Sequence, residues 1–460
     1  MGTVNLWLLD RLEVRQPSRL DLILEVEPQA APEVRLSLSS VIGLTQDLIM
    51  GRFIPLRAAP AQLGLLADIP GVRTVSYNAP IGIPAMGISD PLLGTRPFSL
   101  EVSRAPTVPA LPLGLSMGIQ ASRMIVIPTS ESRQVLMPPG NSTLQMVVGV
   151  VDTGMTPGFP GLPPSIPTRL MSFTGEPPMD GMGHGMWCSA CAFGAARSTP
   201  WGRIQGVATV EAPGLLLHAK ALSNIGFGST VGILKAMEWC VDQGAVVVSM
   251  SLGGELQGSV DEDPLCRAIE INPQTLFVVA AGNSGPEAWT IGSPAASPFA
   301  ITVGAYGLTD QQVSWFSSRG PSGAFYRDNP QIWQQDLAKY GERLMKPDIL
   351  APGGGRALQE TQPDEQLLSS VSGWYDLADD LIPNGLGKMK GSSMATPHAA
   401  GLLALALERG IIRGRDDVRA RFGQKDQASG WGLITWPRLA SEAVAGGAST
   451  SRQQTQTVRI

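Results

Sequence analysis

The stretch Met146–Val151, MVVGVV, followed at once by Asp152-Thr153-Gly154, decides the fold. It is a short apolar run without the alternation of a half-solvated strand. Similar runs follow: GLLLHAKAL at 214–222, AVVVSMS at 245–251, TLFVVAA at 275–281 and FAITVGA at 299–305. Such runs fit strands covered on both faces, as in a parallel sheet. Between them lie helical patterns, Ser229–Gln243 closed by Gly244 and Pro264–Ile271 with Asp263 as N-cap. Strands and helices alternate, so residues 116–445 are expected to form a doubly wound α/β domain.

Upstream, LDLILEVE at 20–27 alternates as a half-buried strand does, and RFIPLR at 52–57 reads as a second strand. APAQLGLLADIPGV at 59–72 starts a helix near Pro60 and stops it at Pro70-Gly71, and Val72–Tyr77 is again a strand. This order predicts a small α+β module, ferredoxin-like in kind, over residues 1–84. Residues 85–115, rich in Pro and Gly, read as a linker, and 446–460 as a small, polar tail.

The 460 residues carry a net charge of −5. That excludes the basic stripe of a nucleic-acid binder, and no polybasic run suggests a membrane surface. No window holds the roughly 18 uncharged apolar residues of a membrane span. MGTVNLWLLDRLEVRQ has no basic n-region and its apolar run breaks at Asp10, which favours a cytoplasmic chain over a secreted or particle-associated one. Cys188, Cys191, Cys240 and Cys266 fall within helical, apolar patterns and read as buried free thiols. Cys188 and Cys191 have C-x-x-C spacing, but no second pair completes a zinc site.

Asp152 ends the first apolar run, where open parallel sheets gather their catalytic groups. A turn before Gly154 is the plainer alternative. His184 stands in DGMGHGMWCSACAFG, 180–194, a Gly-rich loop running into an apolar helix. Of the other two histidines, His218 lies inside a strand pattern and His398 follows Ser393 by five residues on one helix, turned to another face. Only His184 sits at a loop mouth where a base reaches substrate. Ser393 opens the helix in MKGSSMATPHAAGLLALALERG, where backbone N–H groups and the dipole suit an oxyanion. Helix capping by Ser392 or Ser393 is the alternative there. The context G-x-S-x-A and the order Asp, His, Ser both differ from the α/β-hydrolases.

VVGVVDTG, D-x-x-G-H-G and GSSMATPHAAG resemble the Asp, His and Ser signatures of the subtilases, in that family's order. VVSMSLGG at 247–254 is similar to the family's substrate-binding strand and FVVAAGNSGP at 277–286 to its oxyanion loop. PAASPFAITVGA, FSSRGP, KPDILAPG and SGWGLITWPRLA resemble later landmarks, so the likeness spans most of 140–445. It implies a subtilisin-type sheet and a serine endopeptidase acting on proteins or peptides. Ser393 would then be the nucleophile, His184 the proton carrier, Asp152 its orienting partner and Asn283 an oxyanion donor. Ser251, Leu252 and Gly253 would pair with substrate backbone, and Gly253, Ala280, Gly282 and Gly292 would line a roomy apolar primary pocket. The resemblance implies no metal or cofactor for catalysis. The calcium loop usual after the His helix is not recognisable in ARSTPWGRIQG, which has no carboxylate. Structural calcium is therefore left open, without a site.

IPLRAAPAQLGLLADIPGVRTVSYN at 54–78 resembles the family's propeptide. It implies that residues 1–84 act as intramolecular chaperone and inhibitor, docked on the helices at 229–243 and 264–271. The segment after Tyr77 would enter the cleft beside Ser251–Gly253, and the zymogen would cut itself within about 79–115. Some positions depart from the family. Met186 and Trp187 stand where Thr and His are usual, and Ser392 replaces a Thr. Insertions at 322–345 and 355–388 are candidates for a rim or lid over the cleft. Two rival readings are a pseudoenzyme, which should have lost part of the constellation, and an esterase or acyltransferase, which would have no use for the pairing strand at 249–254.

Overall fold

A computed structural model describes residues 2–6, 8–9, 12, 17–42, 47–83, 124–137, 140, 142–200, 202–358, 364–378, 384–420 and 425–441. The expected linker at 85–115 and the tail at 446–460 lie outside them.

The N-terminal module contains β1 (Thr3–Val4), β2 (Leu20–Val26), α1 (Ala31–Ile42), β3 (Phe53–Ala58), α2 (Leu63–Ala67) and β4 (Val72–Tyr77). Its sheet runs β1-β4-β2-β3, with β2 antiparallel to both neighbours. This is the expected α+β module. Ile49 forms an isolated antiparallel bridge with Phe53, the first residue of β3. Beyond β4, residues Pro80–Gly82 form β5, which leaves the module and joins the larger domain.

That domain begins with β6 (Met124–Pro128) and α3 (Thr129–Leu136), then β7 (Val147–Asp152), β8 (Thr168–Ser172), α4 (His184–Phe193) and β9 (Leu215–Lys220). There follow β10 (Phe227–Ser229), α5 (Thr230–Asp242), β11 (Val247–Met250), α6 (Pro264–Glu270), β12 (Leu276–Ala280) and β13 (Ile301–Gly307). Further along come α7 (Ala324–Asp328), α8 (Pro330–Tyr340), β14 (Ile349–Pro352), β15 (Asp364–Ser370), β16 (Leu386–Met389) and α9 (Ser392–Glu408). The main sheet has the order β8-β9-β7-β11-β12-β13-β14, all parallel, with a short antiparallel strand, Gln312–Val313, on β13.

The sheet is buried on both faces because successive side chains point to opposite sides. Val148, Val150 and Leu216 pack with α4 and α9, whereas Val151, Leu217 and Val248 pack with α5, α6 and the N-terminal module. Ser229 caps α5 by accepting from Gly232 N–H, and Asp263 caps α6 by accepting from Leu265 and Cys266 N–H. Strand order reverses between β7 and β11, so Asp152 at the end of β7 lies where such sheets open a crevice.

The module sits on α5 and α6, where the sequence predicts it. Arg267 on α6 donates to Glu25 of β2 at 3.3 Å, and both are almost fully buried. Ser76 donates to Glu262 O at 3.0 Å, and Asn5 donates to Gln257 O. All four cysteines are free, buried and helical.

The two insertions part ways. Residues 322–345 form α7 and α8 as a buttress: Tyr326 Oη accepts from Val260 N–H at 2.9 Å, and Trp333 meets Trp289 edge-on at 5.1 Å. This insertion does not line the cavity at Ser393. The segment 355–388 supplies β15 and the start of β16, which join β6 in a three-stranded sheet beside α4. Among the described residues no helix is long and apolar enough to cross a membrane.

Candidate active site

Asp152, fully buried, accepts from Thr153 N–H and from His184 Nδ1–H, both at 2.7 Å and both through Oδ1. The loop 180–183 presents His184 through Asp180. Its Oδ1 accepts from Met182 N–H at 3.0 Å, Gly183 N–H at 2.8 Å and Thr153 Oγ1 at 3.0 Å, and Oδ2 accepts from Met186 N–H at 2.8 Å. A carboxylate at the first turn of α4 suits the positive helix end. Thr153 Oγ1 in turn accepts from Gly185 N–H at 2.8 Å, locking the Asp152 loop to the His184 helix. Asp180 is a functional position that its place in D-x-x-G-H-G signals but that the sequence reading left without a role.

Burial alone would lower the His184 pKa. The charge and hydrogen bond of Asp152, with Asp180 behind it, leave the pKa raised from 6.5. Asp180 is itself raised, because burial outweighs its backbone N–H donors.

His218 braces this pair from within the sheet. Its Nε2 accepts from Gly154 N–H at 3.1 Å, so Nδ1 carries the proton and donates to Ser189 Oγ on α4 at 2.9 Å. It is the satisfied core histidine that the sequence suggests, and it also ties the loop after Asp152 to the helix bearing His184. His398 is turned away, as expected: Nδ1–H donates to Met394 O at 2.8 Å and Nε2 accepts from Ser132 at 2.7 Å.

Ser393 lies in the first turn of α9. Pro397, four residues on, has no N–H to give the Ser393 carbonyl. Ser251 Oγ donates to that carbonyl instead, at 2.8 Å. The Ser393 hydroxyl donates to Ser251 O at 3.3 Å, and among the described residues His184 Nε2 has no hydrogen-bond partner. Asn283 Oδ1 accepts from Ser392 N–H at 2.8 Å, which fixes the amide and turns its donor, Nδ2, the other way. Ser392 Oγ accepts from Gly282 N–H at 3.1 Å, so a serine serves where the family prefers Thr. His184, Asn283 and Ser393 line one cavity of about 290 Å³, together with Ile83, Met182 and Tyr375.

Two departures from the family find partners. Trp187, fully buried, donates Nε1–H to Gly387 O at 3.0 Å, tying α4 to the inserted β16. Met186 is buried with its sulfur 3.2 Å from Thr156 N. Cys188 lies beneath the dyad, its sulfur 3.9 Å from His184 Nδ1, and burial pushes its pKa well above 9, which keeps it a thiol.

Along the cleft, Gly82 and Gly253 exchange both backbone hydrogen bonds, at 2.9 and 3.2 Å, while β10 pairs antiparallel with β5 on its other edge. Gly253, Ala280, Gly282 and Gly292 do not line the Ser393 cavity. Gly292 is held by its surroundings, since a Cβ there would meet Gly254 O at 2.1 Å.

The subtilase family model, peptidase S8, matches residues 144–421. Serine protease AprX of Bacillus subtilis (strain 168) is 33% identical over 300 residues, covering 60% of this chain and 59% of that protein. Subtilisin E of the same strain is 27% identical over 277 residues, covering 60% of this chain and 58% of that protein. The chain thus spans less than two thirds of the length of these relatives. Among solved structures, sphericase matches with a TM-score of 0.48 and 24% identity, over 66% of this chain and 97% of that one. With more than half of its length under one family model, the chain belongs to the subtilase family.

Proposed function

We propose that the protein is a serine endopeptidase made as a self-inhibited chain. Ser393 Oγ attacks the scissile carbonyl after a rotation about its Cα–Cβ bond toward His184 Nε2, which takes the proton. The proton then passes to the leaving amine, and water repeats the sequence to release the acyl group. Asp152 holds Nδ1–H of His184, so that Nε2 is the basic nitrogen, and its charge stabilises the imidazolium. Asn283 Nδ2 and the Ser393 N–H receive the oxyanion. By the family resemblance Gly253, Ala280, Gly282 and Gly292, which lie outside the Ser393 cavity, would line the primary pocket, and none of them brings a charge.

One observation carries the reading. The cleft already holds an extended main chain, β5, paired on both edges, and this chain leads to Ile83 in the cavity of Ser393 and His184. A small acyl ester would use neither edge, whereas a peptide uses both. The same observation favours residues 1–84 as an inhibitor in place, removed when the chain cuts itself.

Casein and acyl-ester hydrolysis by the wild-type and Ser393→Ala chains test the reading. Casein should be cleaved by the wild type, which also loses its N-terminal module, whereas Ser393→Ala stays at full mass and inactive. Ester hydrolysis without cleavage of any peptide would point to an acyl hydrolase instead.

A further inference from the structure

Of the inserted segment 355–388, Gln366, Tyr375 and Lys388 line the cavity at Ser393. Trp374 N–H donates to Gly181 O and Tyr375 N–H to Met182 O, both at 3.0 Å, so the inserted turn lies along the loop that delivers His184. Trp374 Nε1–H also donates to Asn224 O at 2.9 Å, and Tyr375 Oη donates to Lys388 O at 3.0 Å, which anchors the ring. Gly183, at φ +120°, is squeezed between: a Cβ there would meet Ser372 O at 2.6 Å and Tyr375 Cβ at 3.0 Å. The wall next to His184 is therefore built by the insertion and pinned at both ends.

Ile83 occupies the space before that wall. Its N–H donates to Gly226 O at 3.2 Å, and its side chain, 8% exposed, shares one apolar cluster with Met182 and one cavity with Tyr375. The register says which substrate position this is. Gly82 faces Gly253, so in an antiparallel substrate that pairs with Gly253 in the same way the residue two further on would face Ser251, whose carbonyl accepts the Ser393 hydroxyl. A substrate in this register places its scissile carbonyl there, and the preceding residue takes the place of Ile83.

We infer that Met182 and Tyr375 form the apolar wall of a subsite for the penultimate residue before the scissile bond, and that the enzyme selects Ile, Val or Leu there. This rests on the endopeptidase reading. Each buried methylene is worth roughly a factor of four, so replacing Ile by Ala in a peptide should lower kcat/KM on the order of 50-fold. Lys at that position would bring a second cation beside Lys388 and Lys390, which line the same cavity, and should be rejected further.

A peptide series varied only at the penultimate position, cleaved by wild type, Tyr375→Ala and Tyr375→Phe, tests this. Tyr375→Ala should contract the Ile-to-Ala ratio of kcat/KM at least 5-fold, and Tyr375→Phe should keep the ratio. A flat profile, or one unchanged in Tyr375→Ala, overturns the subsite while leaving the peptidase reading intact. Hydrogen exchange at Gly253 N–H in the Ser393→Ala chain reads the subsite without catalysis. Ile83→Asp and Tyr375→Ala should each speed that exchange at least 10-fold, and protection unchanged in both overturns the inference even if no peptide is cleaved.

Discussion

Gly82 and Gly253 face each other as a two-way hydrogen-bonded pair, one from the N-terminal module's exit strand and one from the wall of the cleft. Neither carries a side chain, so the two backbones meet as neighbouring strands. Beyond this pair the module is held by α5 and α6, and its grip there is partly ionic.

Arg267→Met should loosen that grip. The Glu25–Arg267 pair is buried, but Arg52 also meets Glu25 at 3.3 Å, so Arg267→Met removes charged hydrogen bonds worth about 1.5–3 kcal/mol without stranding the carboxylate. Inhibition by residues 1–84 added in trans should then weaken about 10-fold or more, measured as an inhibition constant on the processed enzyme. Equal inhibition of Arg267→Met and wild type would show that the pair contributes nothing to docking.

Asn283→Ala should lower kcat about 10²–10³-fold and leave KM nearly unchanged, because the lost hydrogen bond strengthens only as negative charge develops. Steady-state kinetics separates the two. A raised KM at constant kcat would make Asn283 a binding residue.

Gly292→Val should unfold the protein rather than reshape its pocket. The new Cβ would meet Gly254 O at 2.1 Å and break the Gly254–Ser293 bridge. Overpacking against backbone costs about 3 kcal/mol or more. Thermal unfolding should show a clear fall in Tm. A variant as stable as the parent that merely prefers smaller side chains would contradict this.

Stability should fall in acid through two buried histidines. Burial lowers both His218 and His398 from 6.5 to about 4. The unfolded chain therefore binds these protons first, and their contribution, present above pH 6.5, is lost as pH falls toward 4. Each is worth on the order of 3 kcal/mol. His184, raised above 6.5, runs the other way, and what it contributes is lost as pH rises through its folded value. Urea midpoints of the Ser393→Ala chain should drop between pH 7 and pH 5, and His398→Asn should flatten the drop. An unchanged slope would mean that His398 is protonated in the folded state.

The sheet and the site were legible because each is written locally. MVVGVV, TLFVVAA and their kin carry the two-sided burial in their composition, and Asp152, His184 and Ser393 stand at strand and helix ends marked by Gly. What stayed hidden joins distant segments without periodicity. Trp187 with Gly387 and Tyr375 with Met182 are each separated by about 200 residues, and Glu25 with Arg267 by more. The Pro397 gap in α9, closed by Ser251, needed both partners in space. Nothing in the sequence shows that Gly254 O lies against Gly292.

The most direct test of the whole reading is the site of covalent labelling by phenylmethylsulfonyl fluoride. Intact mass and peptide mapping should find one sulfonyl group per chain, on Ser393, with casein hydrolysis lost in proportion and o-phenanthroline without effect. An adduct on another residue, or full activity in a fully labelled chain, would contradict it.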